Sequence, residues 1–355
     1  MNLDRSRGLD ELVAQVEGKP EAMVALARLL RPGDNPILAV QLCNRAVEMA
    51  PENGEVRAVA AEVLSAGVPL WHFDIVRDLP RNNAYEAALR RAIFPGCKVL
   101  EIGAGSGLLA MMAARAGAAK VITCEIDAAI GSAAQAVVER NGFGDQVRVV
   151  VKHSTALDVQ ADLGGPADIL VSEIVANDLL GEGVLPSMED AIKRLIKPGA
   201  KILPHNGRVR VALGCDDEWE ESRMGSVAGF DLSPFNRISS PHRDIYVGAS
   251  RLIMRSDAVD LFTFDFASGG PYPDQKREVS LVSHGHRVNG IAQWIALDMD
   301  KEGVYENKPE PGTSSSWMIV YYPFERQLKT TPGQVVKVHA RHDRQGLRLW
   351  ADLPN

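Results

Sequence analysis

Two glutamates nine positions apart form the first candidate site in the sequence. Glu173 and Glu182 follow the apolar run Ile169–Val171, and the loop between them contains Asn177 and Gly181. If this loop folds back on itself, both carboxylates face inward, where they repel each other unless they share a proton or bind a cation. A guanidinium resolves this conflict, because it is planar, stays protonated and carries five donors that match two carboxylates. The pair therefore indicates a guanidinium site; the alternative is that both glutamates are solvated surface charges.

A glycine-rich turn forms the second candidate site. The apolar run Val99–Ile102 leads into three closely spaced glycines, which are Gly103, Gly105 and Gly107. Glycines let a ligand approach the backbone where a Cβ would clash. Glu101 precedes the first glycine by two positions, and Glu125 ends the next apolar run, where a carboxylate can accept both ribose hydroxyls. The pattern predicts a site for S-adenosylmethionine; the alternative is a tight turn without a ligand.

The elements around these sites divide the chain into three predicted regions, the first of which, residues 1–66, is helical. Apolar residues recur there at helical spacing, which predicts helices at Asp10–Val16, Glu21–Leu30, Ile37–Met49 and Val56–Leu64. The last two helices resemble one tetratricopeptide unit, although an ordinary helical hairpin fits equally well. Because one such unit cannot bury its own apolar face, we expect it to pack on the catalytic body or on a second subunit.

The second region, residues 67–204, predicts a Rossmann-like α/β domain. Apolar runs predict strands at Val99–Ile102, Val121–Cys124, Val147–Val151, Ile169–Val171 and Ala200–Leu203. Helical patterns alternate with them at Leu108–Ala116, Ala129–Asn141 and Leu185–Ile196. This alternation is typical of a parallel, doubly wound sheet, in which ligands bind beyond the carboxyl ends of the strands.

The third region, residues 205–355, predicts an all-β sandwich or barrel and no further helix. Short alternating segments separated by Gly, Pro and Ser predict strands at Arg208–Leu213, Leu261–Phe266, Glu278–Val282, Ile291–Asp298, Trp317–Tyr322 and Val335–Arg341.

The composition argues against several classes of protein. The chain has 355 residues and a net charge of −7, which does not favour a nucleic-acid-binding surface. No run approaches about 18 apolar residues and the N-terminus lacks an apolar signal core, so neither a membrane span nor secretion is expected. The four cysteines lack C-x-x-C spacing, which predicts no metal site and a reducing, cytoplasmic location.

Several segments resemble the protein arginine N-methyltransferase family in their order and spacing. The resemblance runs from about Pro69 to the C-terminus and is greatest to the branch with Gly-Glu-Gly around its second catalytic glutamate, which makes monomethyl or symmetric dimethyl arginine. It implies a Rossmann-like domain that binds S-adenosylmethionine, followed by a β-barrel. In this family an arginine nine residues after a histidine pairs with the methionine carboxylate of the cofactor, and His72 and Arg81 have that spacing. The cofactor-binding residues that the resemblance implies are His72, Arg81, Glu101, Gly103, Gly105, Gly107, Leu108, Glu125, Ile126, Ser154, Thr155 and Glu173.

The same resemblance implies a substrate site and a partner. Glu173 and Glu182 fall on the two catalytic glutamates, which would hold the substrate guanidinium. Where the family has Thr-His-Trp, this chain has Ser-Ser-Trp. The resemblance therefore implies Ser316 and Trp317 as residues on the substrate side of the pocket. Unlike the family's histidine, Ser316 carries no charge near neutral pH. The segment from Trp219 to Asp231 resembles the start of a dimerisation arm, placed near residues 219–250, and implies a homodimer.

Three functions are compatible with this resemblance. The expected one is S-adenosylmethionine-dependent methylation of free L-arginine to Nω-methyl-L-arginine in antibiotic biosynthesis, because a bacterial member of the family likewise joins a short helical region to one catalytic module. The alternatives are methylation of arginine in a protein or peptide, and a catalytically silent scaffold. The presence of Arg81, Glu125, Glu173 and Glu182 argues against the scaffold, which would not need all four.

Overall fold

The computed structural model describes residues 2–30, 35–248, 251–310 and 312–353. The first of its three regions is helical. Its helices are α1 (Asn2–Val16), α2 (Pro20–Leu30), α3 (Pro36–Met49) and α4 (Gly54–Ser65). Asn53 caps α4, because its side chain accepts the backbone N–H groups of Glu55 and Val56. Only a few residues separate one helix from the next, so consecutive helices can pack against one another.

This helical region has a core of its own and also touches the next domain. The core residues shared by α2, α3 and α4 are Met23, Val24, Leu26, Ala27, Ala39, Leu42, Cys43, Ala46, Val56, Ala60 and Val63. The hairpin of α3 and α4 was expected to leave an apolar face open. The preceding helix α2 covers part of that face. Val40 packs against Ala128 and Ala129, and the Asn44 side-chain amide donates to Ser132 Oγ at 2.9 Å. The region thus packs on the catalytic body.

A parallel sheet with helices on its faces forms the second region. Its elements are α5 (Trp71–Ile75), α6 (Leu79–Ala92), β1 (Lys98–Ile102), α7 (Leu108–Arg115), β2 (Lys120–Glu125), α8 (Ala128–Arg140), β3 (Val147–Val151), β4 (Ala167–Ser172), α9 (Val184–Arg194) and β5 (Ile196–Leu203). The strand order is β3-β2-β1-β4-β5 with every neighbouring pair parallel, which confirms the predicted Rossmann-like sheet. The last helix ends earlier than predicted, at Arg194, and β5 already begins at Ile196. No helix in the described ranges is both long and apolar enough to cross a membrane.

The third region is an antiparallel sheet from which one segment projects. Its elements are β6 (Asn206–Cys215), α10 (Asp217–Ser222), β7 (Ser226–Val227), β8 (Phe230–Asp231), β9 (Arg243–Ile245), β10 (Ile253–Met254), β11 (Val259–Asp265), β12 (Gln275–Asp298), β13 (Val304–Glu306), β14 (Ile319–His342) and β15 (Leu347–Ala351). The main order is β10-β6-β12-β14-β15, and no pairing among the described residues joins its two ends. A closed barrel therefore remains a prediction. The short helix α10 contradicts the expectation that no helix follows Pro204.

Two predicted pairs of strands in this sheet are in fact single long strands. The segments Glu278–Val282 and Ile291–Asp298 both belong to β12, which pairs with β14 from Gln275 to Gln293. The strand β14 likewise contains Val335–Arg341 and, except for Trp317 and Met318, the predicted strand Trp317–Tyr322. The register of β12 shifts between Val282 and His284 and again between Val288 and Gly290. Such bulges bend a strand without ending it, so the small residues that were interpreted as turns lie inside the strand.

Candidate active site

A cavity of about 390 Å³ lies at the carboxyl ends of β1, β2 and β4, and α5 contributes to its wall. Parallel neighbouring strands bring these ends to one edge of the sheet. The predicted site residues that line the cavity are His72, Arg81, Glu101, Gly103, Gly105, Leu108, Glu125, Ile126, Ser154, Glu173 and Glu182. The cavity therefore joins both candidate sites found in the sequence, the glycine-rich turn and the glutamate pair.

The glycine-rich turn requires glycine at its first position. Gly103 has a φ of +87°, and a Cβ there would lie 2.6 Å from Cγ2 of Ile174. Both the backbone conformation and the close packing exclude a side chain. The turn therefore presents bare backbone to the cavity.

Glu125 is held in place by two backbone N–H groups at the cavity. Its Oε2 accepts the N–H of Gly105 at 3.0 Å, and its Oε1 accepts the N–H of Asp127 at 3.1 Å. A carboxylate has about four lone-pair sites, so each oxygen can still accept a hydroxyl. Both carboxylate oxygens of Glu125 therefore keep lone pairs for further donors at the cavity.

Three buried polar atoms of residues that line the cavity have no hydrogen-bond partner among the described residues: Arg81 Nε, Glu101 Oε2 and Ser154 Oγ. Burial raises the pKa of Glu101 to about 8, so this carboxyl is largely protonated at neutral pH. Unsatisfied buried polar groups are rare, and here all three belong to residues of the cavity that holds the glycine-rich turn. These atoms and the bare backbone fit the polar groups of S-adenosylmethionine.

The two glutamates of the pair differ in their surroundings. Glu173, directly after β4, is buried and forms an ion pair with Arg81. Burial raises its pKa, and the positive charge of Arg81 opposes the rise. Glu182, next to the start of α9, has no ion-pair partner within the described chain. The residue is exposed at the rim of the cavity, and loss of hydration by its carboxyl there, followed by the negative charge of Glu173, raises the pKa of Glu182 to about 7.

The loop between the glutamates is folded back by its own side chains. Asp178 Oδ1 accepts the N–H groups of Leu180 and Gly181 at 3.0 and 2.9 Å. The N–H of Gly183 then donates to the carbonyl of Leu180 at 3.0 Å. This tight turn brings Glu182 to the cavity that Glu173 also lines, as the sequence analysis expected.

Arg81 is positioned by a buried carboxylate at the start of α6. Asp78 caps this helix by accepting the backbone N–H of Arg81 at 2.9 Å. The other oxygen of Asp78 accepts the Tyr305 hydroxyl at 3.0 Å, and the Ser316 N–H and hydroxyl at 2.8 and 3.1 Å. Ser316, predicted as a substrate residue, therefore does not line the cavity. It links the antiparallel sheet to the helix that carries Arg81.

Trp317 is also not a wall of the cavity. Its buried indole N–H donates to the carbonyl of Val175 at 2.7 Å, inside the loop between the glutamates. The Met318 N–H donates to Asn177 Oδ1 at 2.9 Å, and the Gln293 amide donates to the Asn177 carbonyl at 3.0 Å. The antiparallel sheet thus fixes the conformation of this loop through three hydrogen bonds.

Known proteins of similar sequence share most of this chain. A protein named Arginine N(omega)-methyltransferase, from Streptomyces achromogenes subsp. streptozoticus, is 36% identical over 311 residues, which are 86% of this chain and 83% of that protein. This chain belongs to the arginine N-methyltransferase family. Protein arginine N-methyltransferase 7 from Oryza sativa subsp. japonica is 30% identical over 328 residues and that from Danio rerio 31% over 310 residues. Both matches cover 79% of the methyltransferase described here and only 45% of the relative's length.

Solved structures and a family model agree with the fold of the methyltransferase. The model for ribosomal protein L11 methyltransferase (PrmA) matches residues 86–204. The Trypanosoma brucei PRMT1 enzyme-prozyme heterotetrameric complex with AdoHcy is 22% identical with a TM-score of 0.71, covering 82% of this chain and 95% of that chain. Protein arginine methyltransferase 10 of Arabidopsis thaliana is 17% identical with a TM-score of 0.65, over 81% and 98%. The predicted activity, S-adenosylmethionine-dependent methylation of arginine, is confirmed by the family to which the chain belongs.

Two further predicted cofactor residues of the methyltransferase do not line the cavity. Gly107 precedes α7 with a φ of +78°, and a Cβ there would lie 3.1 Å from Val138 Cγ2, so this glycine serves helix packing. Thr155 is exposed, and its hydroxyl lies 2.7 Å from His153 Nδ1. Each faces a neighbouring protein group instead of the cavity.

Several residues that line the cavity were not predicted from the sequence: Ile75, Val76, Leu109, Asp127, Ile130 and Ser187. Most of them lie within one helical turn or one residue of a predicted site residue. Ile75 and Val76, for example, follow His72 by three and four positions, so helical periodicity could have placed them on the same face. In the described part of the chain, no group of three or more His, Cys, Asp or Glu side chains could hold a metal ion.

Proposed function

We propose that the methyltransferase acts on free L-arginine and produces Nω-methyl-L-arginine. The observation that carries this proposal is the pair Glu173 and Glu182, two carboxylates from one folded loop that reach the cavity lined by the glycine-rich turn. The choice of free arginine rests on the relatives. The Streptomyces protein named for arginine matches over most of its length, whereas the relatives named for protein arginine match over less than half of theirs.

The proposed reaction depends on orientation and electrostatics. When bound, S-adenosylmethionine supplies an electrophilic methyl group on a sulfonium. Glu173 and Glu182 hold the guanidinium and draw its charge toward the nitrogens they contact, which leaves electron density on the nitrogen that faces the methyl group. The guanidinium pKa exceeds about 12, so neither carboxylate needs to deprotonate it first. With the donor bound, Glu173 and Glu182 would hold the guanidinium nitrogen in line with the methyl group, the sulfonium would leave as a neutral thioether, and one proton would leave the methylated nitrogen afterwards.

On this proposal each cofactor-binding residue contacts a different part of S-adenosylmethionine. Glu125 would bind the ribose hydroxyls, and Glu101 and Ser154 would offer their unsatisfied atoms to the nucleoside. Arg81, which contacts Glu173, would bind the methionine carboxylate from the same position. His72 and Leu108 would cover the ligand from α5 and from the start of α7.

Comparison of L-arginine with agmatine, which lacks the α-carboxylate, tests the choice of substrate. A site built for the free amino acid contains a partner for that carboxylate, so kcat/KM for L-arginine should exceed that for agmatine by on the order of 10- to 100-fold. The product is identified by mass spectrometry, with an arginine-rich peptide as the third substrate. Equal kcat/KM values for agmatine and L-arginine would contradict the proposal, and preference for the peptide would favour the protein-arginine alternative. Absence of methyl transfer to all three would favour a silent scaffold.

We also propose that the methyltransferase is a cytoplasmic homodimer. The segment between β6 and β9 exposes apolar side chains as a dimerisation arm would, and Cys97, Cys124 and Cys215 are buried free thiols, as is usual in a reducing compartment. Sedimentation tests the assembly, because a monomer would have a mass near 38.5 kDa.

The finer description of the domains is likewise a proposal. Boundaries after residues 66 and 204 follow the ends of α4 at Ser65 and of β5 at Leu203. The two consecutive helix pairs support a tetratricopeptide-like region, and the bulges that bend β12 support a barrel.

A further inference from the structure

The side chain of Arg81 is fixed in one orientation by its neighbours. It is buried, its Nη2 donates to Glu173, and its Nη1 donates to the side-chain oxygen of Asn82 at 2.8 Å. The Tyr85 ring centre lies 5.2 Å from the guanidinium carbon. The Tyr85 hydroxyl donates to the carbonyl of Ser172, the residue before Glu173, at 3.0 Å. The cation is therefore tied both to its own helix and to the end of β4.

The contact between Arg81 and Asn82 is unusual for consecutive residues of a helix. Both lie in the first turn of α6, where side chains at neighbouring positions point in different directions and do not face each other. The long Arg81 side chain nevertheless reaches the amide of Asn82, which is itself buried. That amide also donates to the Val76 carbonyl at 2.9 Å, and Val76 lines the cavity. Asn82 thus joins Arg81 to the part of the cavity wall that follows α5.

The guanidinium of Arg81 keeps donors for a ligand. A guanidinium carries five N–H groups, and Asn82 and Glu173 accept one from each Nη atom. The Nε atom is buried and has no partner among the described residues. Because a carboxylate accepts two parallel N–H bonds from one guanidinium, and Arg81 lines the cavity, the unused donors fit the methionine carboxylate of the cofactor.

The acceptor that orients Arg81 carries no charge. Glu173 already places one negative charge beside the cation. A carboxylate at position 82 would add a second, and it would repel an incoming ligand carboxylate at close range. The amide oxygen of Asn82 orients the guanidinium and leaves its positive charge available to the ligand.

We propose that Asn82 is a positioning residue for cofactor binding, which turns the Arg81 guanidinium so that its unused N–H groups meet the methionine carboxylate. The inference rests on the proposed role of Arg81 in binding that carboxylate. It goes beyond that role, because Asn82 does not itself line the cavity. The strength of the contact between Arg81 and the ligand then depends on a side chain that acts only through Arg81.

Two ligands that differ in one carboxylate test the proposal. S-adenosylhomocysteine carries the carboxylate, whereas decarboxylated S-adenosylhomocysteine keeps the nucleoside, the thioether and the amine. Calorimetry with the unmodified protein should show that S-adenosylhomocysteine binds more tightly by on the order of 10- to 100-fold. In Asn82→Asp, which nearly keeps the shape, S-adenosylhomocysteine should bind about tenfold more weakly or worse. The decarboxylated ligand, a cation, should bind equally well or better, because the added charge is negative.

Two further variants complete the experiment. Asn83 is the next residue of α6 and is exposed, so Asn83→Asp adds the same charge without touching Arg81 and should discriminate between the ligands as the unmodified protein does. Asn82→Ala removes the acceptor without adding charge and should also reduce the discrimination. It provides the test if Asn82→Asp does not fold, as judged by circular dichroism.

The outcomes separate this inference from the proposed role of Arg81. Equal weakening of both ligands in the folded Asn82 variants would overturn the inference, because it would show a merely structural effect. Undiminished discrimination in these variants would overturn it as well, while the role of Arg81 would stand. An unmodified protein that binds both ligands equally would refute the role of Arg81 and, with it, that of Asn82.

Discussion

Replacement of Glu182 by glutamine removes the one carboxylate of the pair that has no cationic partner in the described structure. Glu173 is compensated by Arg81, whereas the pKa of Glu182 is raised to about 7 by loss of hydration at the cavity and by the negative charge of Glu173. A raised pKa means that Glu182 is neutral below about pH 7 and charged above it. If the charged form holds the substrate guanidinium, kcat/KM for arginine must rise with pH through this range.

The size of the effect follows from the pKa. With a pKa of about 7, roughly 97% of Glu182 is ionised at pH 8.5 and roughly 3% at pH 5.5. The Glu182→Gln variant is neutral at both. Loss of one oriented electrostatic group costs on the order of 10²–10³ in turnover, so the unmodified enzyme should exceed the variant by that factor at pH 8.5. At pH 5.5 the advantage should be about thirtyfold smaller, because the unmodified enzyme has itself become mostly neutral.

The measurement is kcat/KM for methyl transfer to arginine at both pH values, for the unmodified enzyme and the variant. Binding of S-adenosylhomocysteine, followed by calorimetry at the same pH values, is the control and should not differ between the two proteins. A ratio of unmodified to variant kcat/KM that stays constant from pH 5.5 to 8.5 would show that ionisation of Glu182 does not govern the reaction. A variant with full activity at pH 8.5 would refute the role of Glu182 altogether.

Three other substitutions test neighbouring parts of the site. Glu125→Ala should weaken cofactor binding by about 1.5–3 kcal/mol in calorimetry, since hydrogen bonds to a charged group are lost; unchanged affinity in a folded variant would remove Glu125 from the site. Asp78→Ala deletes a helix cap and leaves buried donors unpaired, so denaturant unfolding should show a loss of about 2–4 kcal/mol, and a loss below 1 kcal/mol would contradict this reasoning. Trp317→Phe removes the hydrogen bond to Val175, and should lower kcat by about tenfold while cofactor affinity stays the same; an equal loss in both quantities would indicate general destabilisation instead.

The sequence predicted those parts of the site whose positions depend on residues nearby in the chain. Gly103 could be assigned to a ligand-binding turn, because its backbone conformation and close packing require glycine. Glu125 could be assigned because it ends a strand next to that turn. The glutamate pair could be placed in one cavity because its loop is short and contains Asn177 and Gly181, although the side chain that closes the turn is that of Asp178.

Contacts between distant parts of the chain could not be predicted in this way. Nothing local to Ser316 indicates that its hydroxyl binds a carboxylate at the start of α6, more than 200 residues earlier. The continuity of β12 was hidden for a similar reason: a Ser or Gly inside a bulge has the same local signature as one in a turn, and only pairing with β14 distinguishes them.

The separate core of the N-terminal helices has a consequence for how the molecule melts. That core around Met23 and Ala46 is separate from the main core, and a small cluster to which Val40 and Leu64 contribute, together with one side-chain hydrogen bond, joins it to the main body. Weakly coupled cores unfold as separate cooperative units, and a ligand stabilises only the unit that binds it. Calorimetric heating should therefore resolve an N-terminal transition that S-adenosylhomocysteine leaves in place and a later one that it shifts upward. In the interval between the two, the enzyme would still hold its ligand while its N-terminal helices are unfolded.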